Sequence, residues 1–309
     1  MNNTDSQLSD AKRALLAKYL RGDIPKAKLE PDPAGLVKRG SAPASASDES
    51  RVTITAIQAK GNRVPFFFPH VHWEGGAAYC FSLSRELGPD QPFYLMEPYR
   101  LNDLQIPPTL KEIAAECVKS MRAIQPQGPY RLGGYCGSGF ILYEMAQQLQ
   151  SAGQQVEALV MIEPGVGPYF AQLLGWVGHL VTRVGTALHR TPDQQLSWFL
   201  YMRHVYKLAR YPRYRSARKV TLAPTREVLR EDWLGTFVWI VSTYVPRPYD
   251  GKVTYIWAQD DSGSQRAWWR RTFVARETED HFTAGNRSNC RSTHVDDLGV
   301  QLRACLEDH

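Results

Sequence analysis

The sequence predicts an α/β protein whose mostly parallel, doubly wound sheet carries an inserted helical lid. Three observations lead there. From about residue 51 onward, short apolar or aromatic runs alternate with amphipathic stretches, the pattern of strands and helices taking turns along a buried sheet. A glycine-flanked stretch, GGYCGSG, joins one such run directly to a helical one. After Glu163, roughly 85 residues of helical character rich in Trp, Tyr and Leu break the alternation, and a cover over the strand ends explains that length better than a core crossover does.

In chain order, Ser9 is a candidate N-cap for DAKRALLAKYLRG, where Leu15, Leu16, Tyr19 and Leu20 share one face. A linker rich in Pro, Ala, Ser and Gly follows, so residues 1–50 read as a short helix plus flexible linker and residues 51–309 as the α/β domain. Strand signals fall at Val52–Gln58, Val64–Phe68, Phe93–Met96, Tyr130–Tyr135, Val156–Ile162, Val253–Ala258 and Glu277–Phe282. Helices fit at Gly76–Leu87, Leu110–Ile124, Phe140–Ala152 and Thr293–Glu307, and the lid occupies about residues 165–247.

Composition narrows the class. Among 309 residues, 43% are hydrophobic and 22% charged, which suits a globular domain with a sizeable core. No apolar run reaches the ~18 residues a membrane span needs, and MNNTDSQLSDAK lacks the features of a secretory signal. A cytoplasmic protein with no membrane association is the expectation. Cys80, Cys117, Cys136, Cys290 and Cys305 are scattered without CxxC spacing, so neither a metal site nor a disulfide framework is indicated. The formal charge of +6 comes without a nucleic-acid motif, and nucleic acid is not an expected partner. Basic residues concentrate in RHVYKLARYPRYRSAR, Arg203 to Arg218, either a solvated face or a dock for an acidic protein.

The chemistry concentrates in GPYRLGGYCGSGFILYEMAQQL, residues 128–149. A sharp strand-to-helix turn strains its central residue and leaves no room for bulk beside it, which accounts for the flanking glycines. It also sets the central side chain at a helix N-terminus, where the dipole favours negative charge on a thiol. Cys136 stands at the nucleophile position, although position 138 is Ser where G-x-S-x-G has Gly. Ser138 itself is the alternative nucleophile. A nucleotide-binding loop is the other alternative, but the stretch lacks the P-loop Lys and the dinucleotide spacing.

This stretch resembles the nucleophile region of the thioesterases that unload non-ribosomal peptide and polyketide assembly lines. FFFPHVHWEGGAAYCFSLSRELGPDQPFYLMEPY upstream, and YVPRPYDGKVTYIWAQDD and THVDDLGVQLRACL downstream, resemble the same family. The resemblance covers about residues 51–309 and implies an α/β-hydrolase fold, with Cys136 as a less common nucleophile. It implies that Glu163, closing VMIE, is the acid, and that the N–H groups of Gly137 and of Val71 form the oxyanion hole. At the family's base position this chain has Arg287, in Gly285-Asn286-Arg287. Arginine cannot accept a proton there. His294 and His281 remain as candidate bases, and Arg287 could instead favour the thiolate of Cys136.

What the resemblance implies is carrier-protein-dependent acyl transfer in natural-product biosynthesis. No bound cofactor is expected. An acyl thioester, small or presented on the phosphopantetheine arm of an acyl or peptidyl carrier protein, would acylate Cys136. A thioesterase, a cyclase or an acyl or aminoacyl shuttle would then release or transfer the chain. Without a base, transfer to a thiol or amine is favoured over hydrolysis. The rival expectation is a non-catalytic carrier- or acyl-binding protein with a degenerate triad.

Overall fold

The structure is a computed structural model and describes residues 50–71, 77–101, 106–165, 169–210, 224–260 and 263–307. The chain divides into two units, Met1–Asp48 and Glu49–His309, and every described residue lies in the second. The expected N-terminal helix and linker, and the basic residues Arg213, Arg215 and Arg218, fall outside the described residues.

The described elements run β1 (Ile54–Gln58), β2 (Phe66–Pro69), α1 (Tyr79–Leu87), β3 (Phe93–Met96), α2 (Leu110–Arg122), β4 (Tyr130–Tyr135), α3 (Ser138–Ser151) and β5 (Val156–Ile162). Then come α4 (Tyr169–Ala187), α5 (Pro192–Arg210), α6 (Arg226–Arg230) and α7 (Trp233–Ser242). The chain closes with β6 (Tyr249–Ala258), α8 (Gly263–Thr272), β7 (Ala275–Thr283) and α9 (Val295–Glu307). The strands form one seven-stranded sheet in the order β1-β3-β2-β4-β5-β6-β7. Among the described strands only the β1–β3 pairing is antiparallel; β2–β3, β2–β4, β4–β5, β5–β6 and β6–β7 are parallel.

Successive strand residues feed opposite faces of the sheet. Phe66, Phe68, Ala158, Val160 and Ile162 join Cys80, Leu83 and Leu87 of α1 and Leu298, Leu302 and Leu306 of α9 in one core. Phe67, Leu132, Leu159 and Met161 join α2, α3 and α7 in the other, through Ile113, Met121, Tyr143 and Phe237. β4 is buried along its whole length and sits between these layers. Thr109 opens α2 with a capping box: its hydroxyl accepts from Glu112 N–H while the Glu112 carboxylate accepts from Thr109 N–H at 2.7 Å.

Boundaries differ from expectation where polar residues carry the element. β6 begins at Tyr249 and β7 extends to Ala275 and Thr283, because the partly exposed strand ARETEDHFT pairs through its backbone rather than its side chains. The helix expected from Phe140 begins at Ser138. α8 was not anticipated at all; its segment GSQRAWWRRT is strongly polar, yet Trp269 is fully buried and stacks on Phe273 at 4.0 Å.

Helices α4 to α7 lie between β5 and β6. Asp232 joins two of them. It accepts from Arg203 Nε at 2.8 Å and Lys207 Nζ at 2.6 Å on α5, and caps α7 at Gly235 N–H, 3.1 Å. Among the described residues no helix is long and apolar enough to cross a membrane.

Candidate active site

The site forms where β4 turns into α3. Cys136 has φ 61°, a left-handed conformation that costs a non-glycine residue about 1–2 kcal/mol. Its backbone is held on both sides. Cys136 N–H donates to Ile162 O at 2.9 Å, and its carbonyl accepts from Gly139 N–H and Gly165 N–H, each at 3.1 Å. Glycine is required beside it for space: a Cβ at Gly134 would lie 2.4 Å from Ser138 Oγ, and one at Gly139 would lie 2.8 Å from Pro164 Cβ. The Ser138 side chain is turned away from the site, with Oγ donating to Tyr135 O at 2.8 Å, and the residue is fully buried.

Among the described residues the Cys136 sulfur has two polar neighbours. Its thiol reaches the Gly165 carbonyl at 3.2 Å, and Arg287 Nη2 donates to Sγ at 3.1 Å. The same Nη2 donates to Gly165 O at 2.6 Å, while Nη1 lies 3.5 Å from Glu163 Oε2. Glu163, itself at φ 45°, follows the end of β5. Its N–H donates to Ile256 O at 3.0 Å, and its Oε1 accepts from Ala258 N–H at 2.6 Å. Cys136, Glu163 and Arg287 therefore converge, with Cys136 only 3% exposed.

Arg287 is anchored by its own loop. Tyr135 O–H donates to the Arg287 carbonyl, and Asn286 and Asn289 close the turn around it, Asn286 N–H donating to Asn289 Oδ1 at 2.7 Å. At the loop's entry, Asp297 of α9 accepts from Thr283 Oγ1 and Ala284 N–H. Burial works against the Arg287 cation, but the anionic character available to Cys136, Tyr135 and Glu163 outweighs it and holds the group above its ordinary range. Arg291 lies over the rings of Tyr79 and Tyr135, at 5.4 and 5.2 Å from their centres.

The candidate imidazoles have their own neighbours. His294 lies against the backbone of Gly285, where an added Cβ would come 2.5 Å from its ring. His281 Nε2 is 3.2 Å from Glu279 Oε1 on β7, at ion-pair distance. Neither is among the polar partners of the Cys136 sulfur. Val71 and Gly137 do meet: a Cβ at Gly137 would lie 3.3 Å from Val71 Cγ2 and 3.0 Å from Phe237 Cε1 of α7. Neither backbone N–H donates to a backbone acceptor among the described residues. Tyr135, Gly165 and Phe237 belong to the site and were not singled out from the sequence. Only the proximity of Tyr135 and Gly165 to the motif and to Glu163 could have pointed to them.

Residues 66–168 match the family model described as "Thioesterase domain". That stretch is similar to a thioesterase domain. Over 135 residues, 43% of this chain, it is 33% identical to a dimodular nonribosomal peptide synthase of Bacillus subtilis, of which that covers 6%. It is 34% identical over 116 residues to an indigoidine synthase of Dickeya dadantii, covering 36% of this chain and 8% of that one. The chain thus spans under a tenth of the length of these curated relatives. Among solved structures, the NocB thioesterase domain in covalent complex with a fluorophosphonate nocardicin G analogue superposes with a TM-score of 0.55. The superposition covers 82% of this chain and 99% of that one at 19% identity, a likeness of fold. The mostly parallel seven-stranded sheet with flanking helices matches the α/β-hydrolase fold of that solved thioesterase domain.

Proposed function

We propose that the domain catalyses acyl transfer through a covalent intermediate on Cys136, taking its acyl group from a carrier-bound thioester in natural-product assembly. The observation that carries this reading is the Arg287 guanidinium 3.1 Å from Cys136 Sγ at a strained strand-to-helix turn. A cation donating to sulfur stabilises the thiolate, the nucleophilic form of cysteine. The thiolate attacks the thioester carbonyl, and the N–H groups of Val71 and Gly137 receive the oxyanion. Collapse breaks the carbon–sulfur bond to the carrier's phosphopantetheine thiol and leaves the acyl group on Cys136. Glu163 acts as a positioning residue, holding Arg287 Nη1 from one side while Ala258 N–H fixes its other oxygen. His294 has no step in this scheme. Helices α4 to α7 act as the lid, with Phe237 as an apolar wall over Gly137, and the basic residues Arg210, Arg213, Arg215, Arg218 and Lys219 dock an acidic carrier.

Among the described residues no imidazole is a polar partner of the sulfur, and this together with the 3% exposure of Cys136 favours a second reading, in which the domain binds carrier or acyl chain without turnover. Mixing stoichiometric protein with an acyl-loaded carrier separates the two. The acyl-transfer reading predicts loss of the acyl group from the carrier, abolished in Cys136→Ala and kept in Ser138→Ala. Carrier that binds yet keeps its acyl group establishes the second reading instead.

A further inference from the structure

Resting on the reading that the Arg287 cation serves the Cys136 sulfur, we propose that Tyr135 and Arg291 are positioning residues, which clamp the loop between β7 and α9 so that the Arg287 guanidinium stays on Sγ. Among the described residues neither side chain is a polar partner of the sulfur, so both act through Arg287.

The need for a clamp follows from the length of the Arg287 side chain. Holding so many rotatable bonds in one geometry opposes conformational entropy, and the tip moves wherever the backbone moves. A shift of about 1 Å takes the 3.1 Å contact with Sγ out of hydrogen-bond range. Inside the loop the backbone bonds are local: Cys290 N–H donates to Asn286 O at 2.9 Å and Asn289 N–H to the same oxygen at 3.1 Å. They shape the turn without joining it to the nucleophile. At the loop's entry, Asp260 N–H donates to Gly285 O at 3.0 Å, and Asp297 holds Thr283 and Ala284. At Arg287 the two ends are held separately. Glu163 and the Gly165 carbonyl take the guanidinium, and Tyr135, the residue before the nucleophile, donates its O–H to the backbone carbonyl.

Arg291 closes the clamp four residues further on. Its guanidinium lies 5.2 Å from the centre of the Tyr135 ring and 5.4 Å from that of Tyr79, the first residue of α1, and a cation over aromatic faces is attracted to both. The two rings meet edge-on at 6.0 Å. Between the two arginines in sequence, Cys290 is fully buried with Sγ 3.7 Å from Arg287 O. The Tyr135 side chain therefore carries both halves of the clamp, its hydroxyl on the Arg287 carbonyl and its ring under Arg291. Burial pushes that hydroxyl up, which keeps it protonated and able to donate. Because Tyr135 adjoins Cys136 in the chain, a shift of the nucleophile turn is passed to the loop, and sulfur and guanidinium move together.

The test alkylates the full chain with iodoacetate and with iodoacetamide and reads the rate at Cys136 by peptide mapping. A cation at the sulfur favours the anionic reagent, so the ratio of the two rates reports the guanidinium and not the accessibility of the site. Arg287→Gln should lower that ratio by about fivefold, the effect of one charge about 4 Å away across water. Tyr135→Phe keeps the ring under Arg291, and Arg291→Met keeps an apolar stem; each should lower the ratio by at least about twofold. In the Arg287→Gln background neither should lower it further, since both work through the lost guanidinium. Tyr143→Phe removes another buried hydroxyl from backbone carbonyls, those of Arg247 and Val274 at 2.9 and 2.7 Å, and should leave the ratio unchanged whatever stability it costs. A ratio that falls in Arg287→Gln but not in Tyr135→Phe or Arg291→Met overturns this inference alone. A further fall from Arg291→Met in the Arg287→Gln background shows Arg291 attracting the reagent directly and overturns its positioning role. A ratio that Arg287→Gln leaves unmoved overturns the reading beneath it. If Cys136 resists both reagents, crystal structures of the wild type and of Tyr135→Phe decide: the guanidinium leaves the sulfur in the variant, or it stays and the inference fails.

Discussion

Replacing Glu163 removes the carboxylate that lies between the β6 backbone and the buried guanidinium, and the size of the effect can be worked from two contacts. The Glu163 side chain is 3% exposed, with Oε1 2.6 Å from Ala258 N and Oε2 3.5 Å from Arg287 Nη1. Opposite charges at that separation attract by roughly 5 kcal/mol at an effective dielectric of about 20, before desolvation is subtracted. Glu163→Ala deprives a buried N–H of its acceptor and a buried cation of its counter-charge, and should destabilise the domain by about 3–5 kcal/mol. Glu163→Gln keeps an oxygen for Ala258 N–H and loses only the charge, so about 1–3 kcal/mol is expected. Chemical denaturation followed by tryptophan fluorescence reads both, provided the slope with denaturant stays constant. In a cycle of Glu163→Gln, Arg287→Met and the double variant, the pair should couple by at least about 1 kcal/mol. Additivity within about 0.5 kcal/mol, or equal losses for Glu163→Ala and Glu163→Gln, would refute the argument that Glu163 holds Arg287 electrostatically.

Three further outcomes are expected. Burial pushes the thiols of Cys80 and Cys117 up to about 12 and that of Cys290 up to about 11. Since the unfolded chain ionises its cysteines at lower pH, stability should fall as pH rises from ~9 towards 12. Cys117→Ala should flatten that decline by about 1.4 kcal/mol per pH unit in pH-dependent denaturation curves. Gly137→Ala brings a Cβ within 3.0 Å of Phe237 Cε1 and shifts one oxyanion donor, so single-turnover acylation should slow by about tenfold or more. Carrier-dependent transfer should weaken as salt rises from about 50 to about 500 mM, and charge reversal at Arg213 and Arg215 should reduce that dependence while sparing a small thioester.

The parts of the fold legible in the sequence are those where burial dictates composition. β3, β4 and β5 fall at their expected residues because FYLM, YRLGGY and VEALVMI are buried along most of their length. α8 was hidden because its helical face rests on Trp268 and Trp269 amid arginines, and no apolar period announces it. Within the site, the sequence brought Cys136, Glu163 and Arg287 into consideration through motif positions. The Gly165 carbonyl that both Arg287 and the thiol reach could not be seen there. It depends on positive φ angles at Glu163 and Gly165, of 45° and 120°, and on the Tyr135 hydroxyl holding the Arg287 backbone. Such contacts join segments over a hundred residues apart and leave no local periodicity.

The central claim, that the sulfur held by Arg287 is the acyl acceptor, is tested most directly by peptide mapping of the protein quenched in acid after exposure to an acyl-loaded carrier. The account predicts the acyl mass on Cys136 Sγ, present in Ser138→Ala and absent in Cys136→Ala. An adduct on Ser138, or one that survives Cys136→Ala, would contradict it.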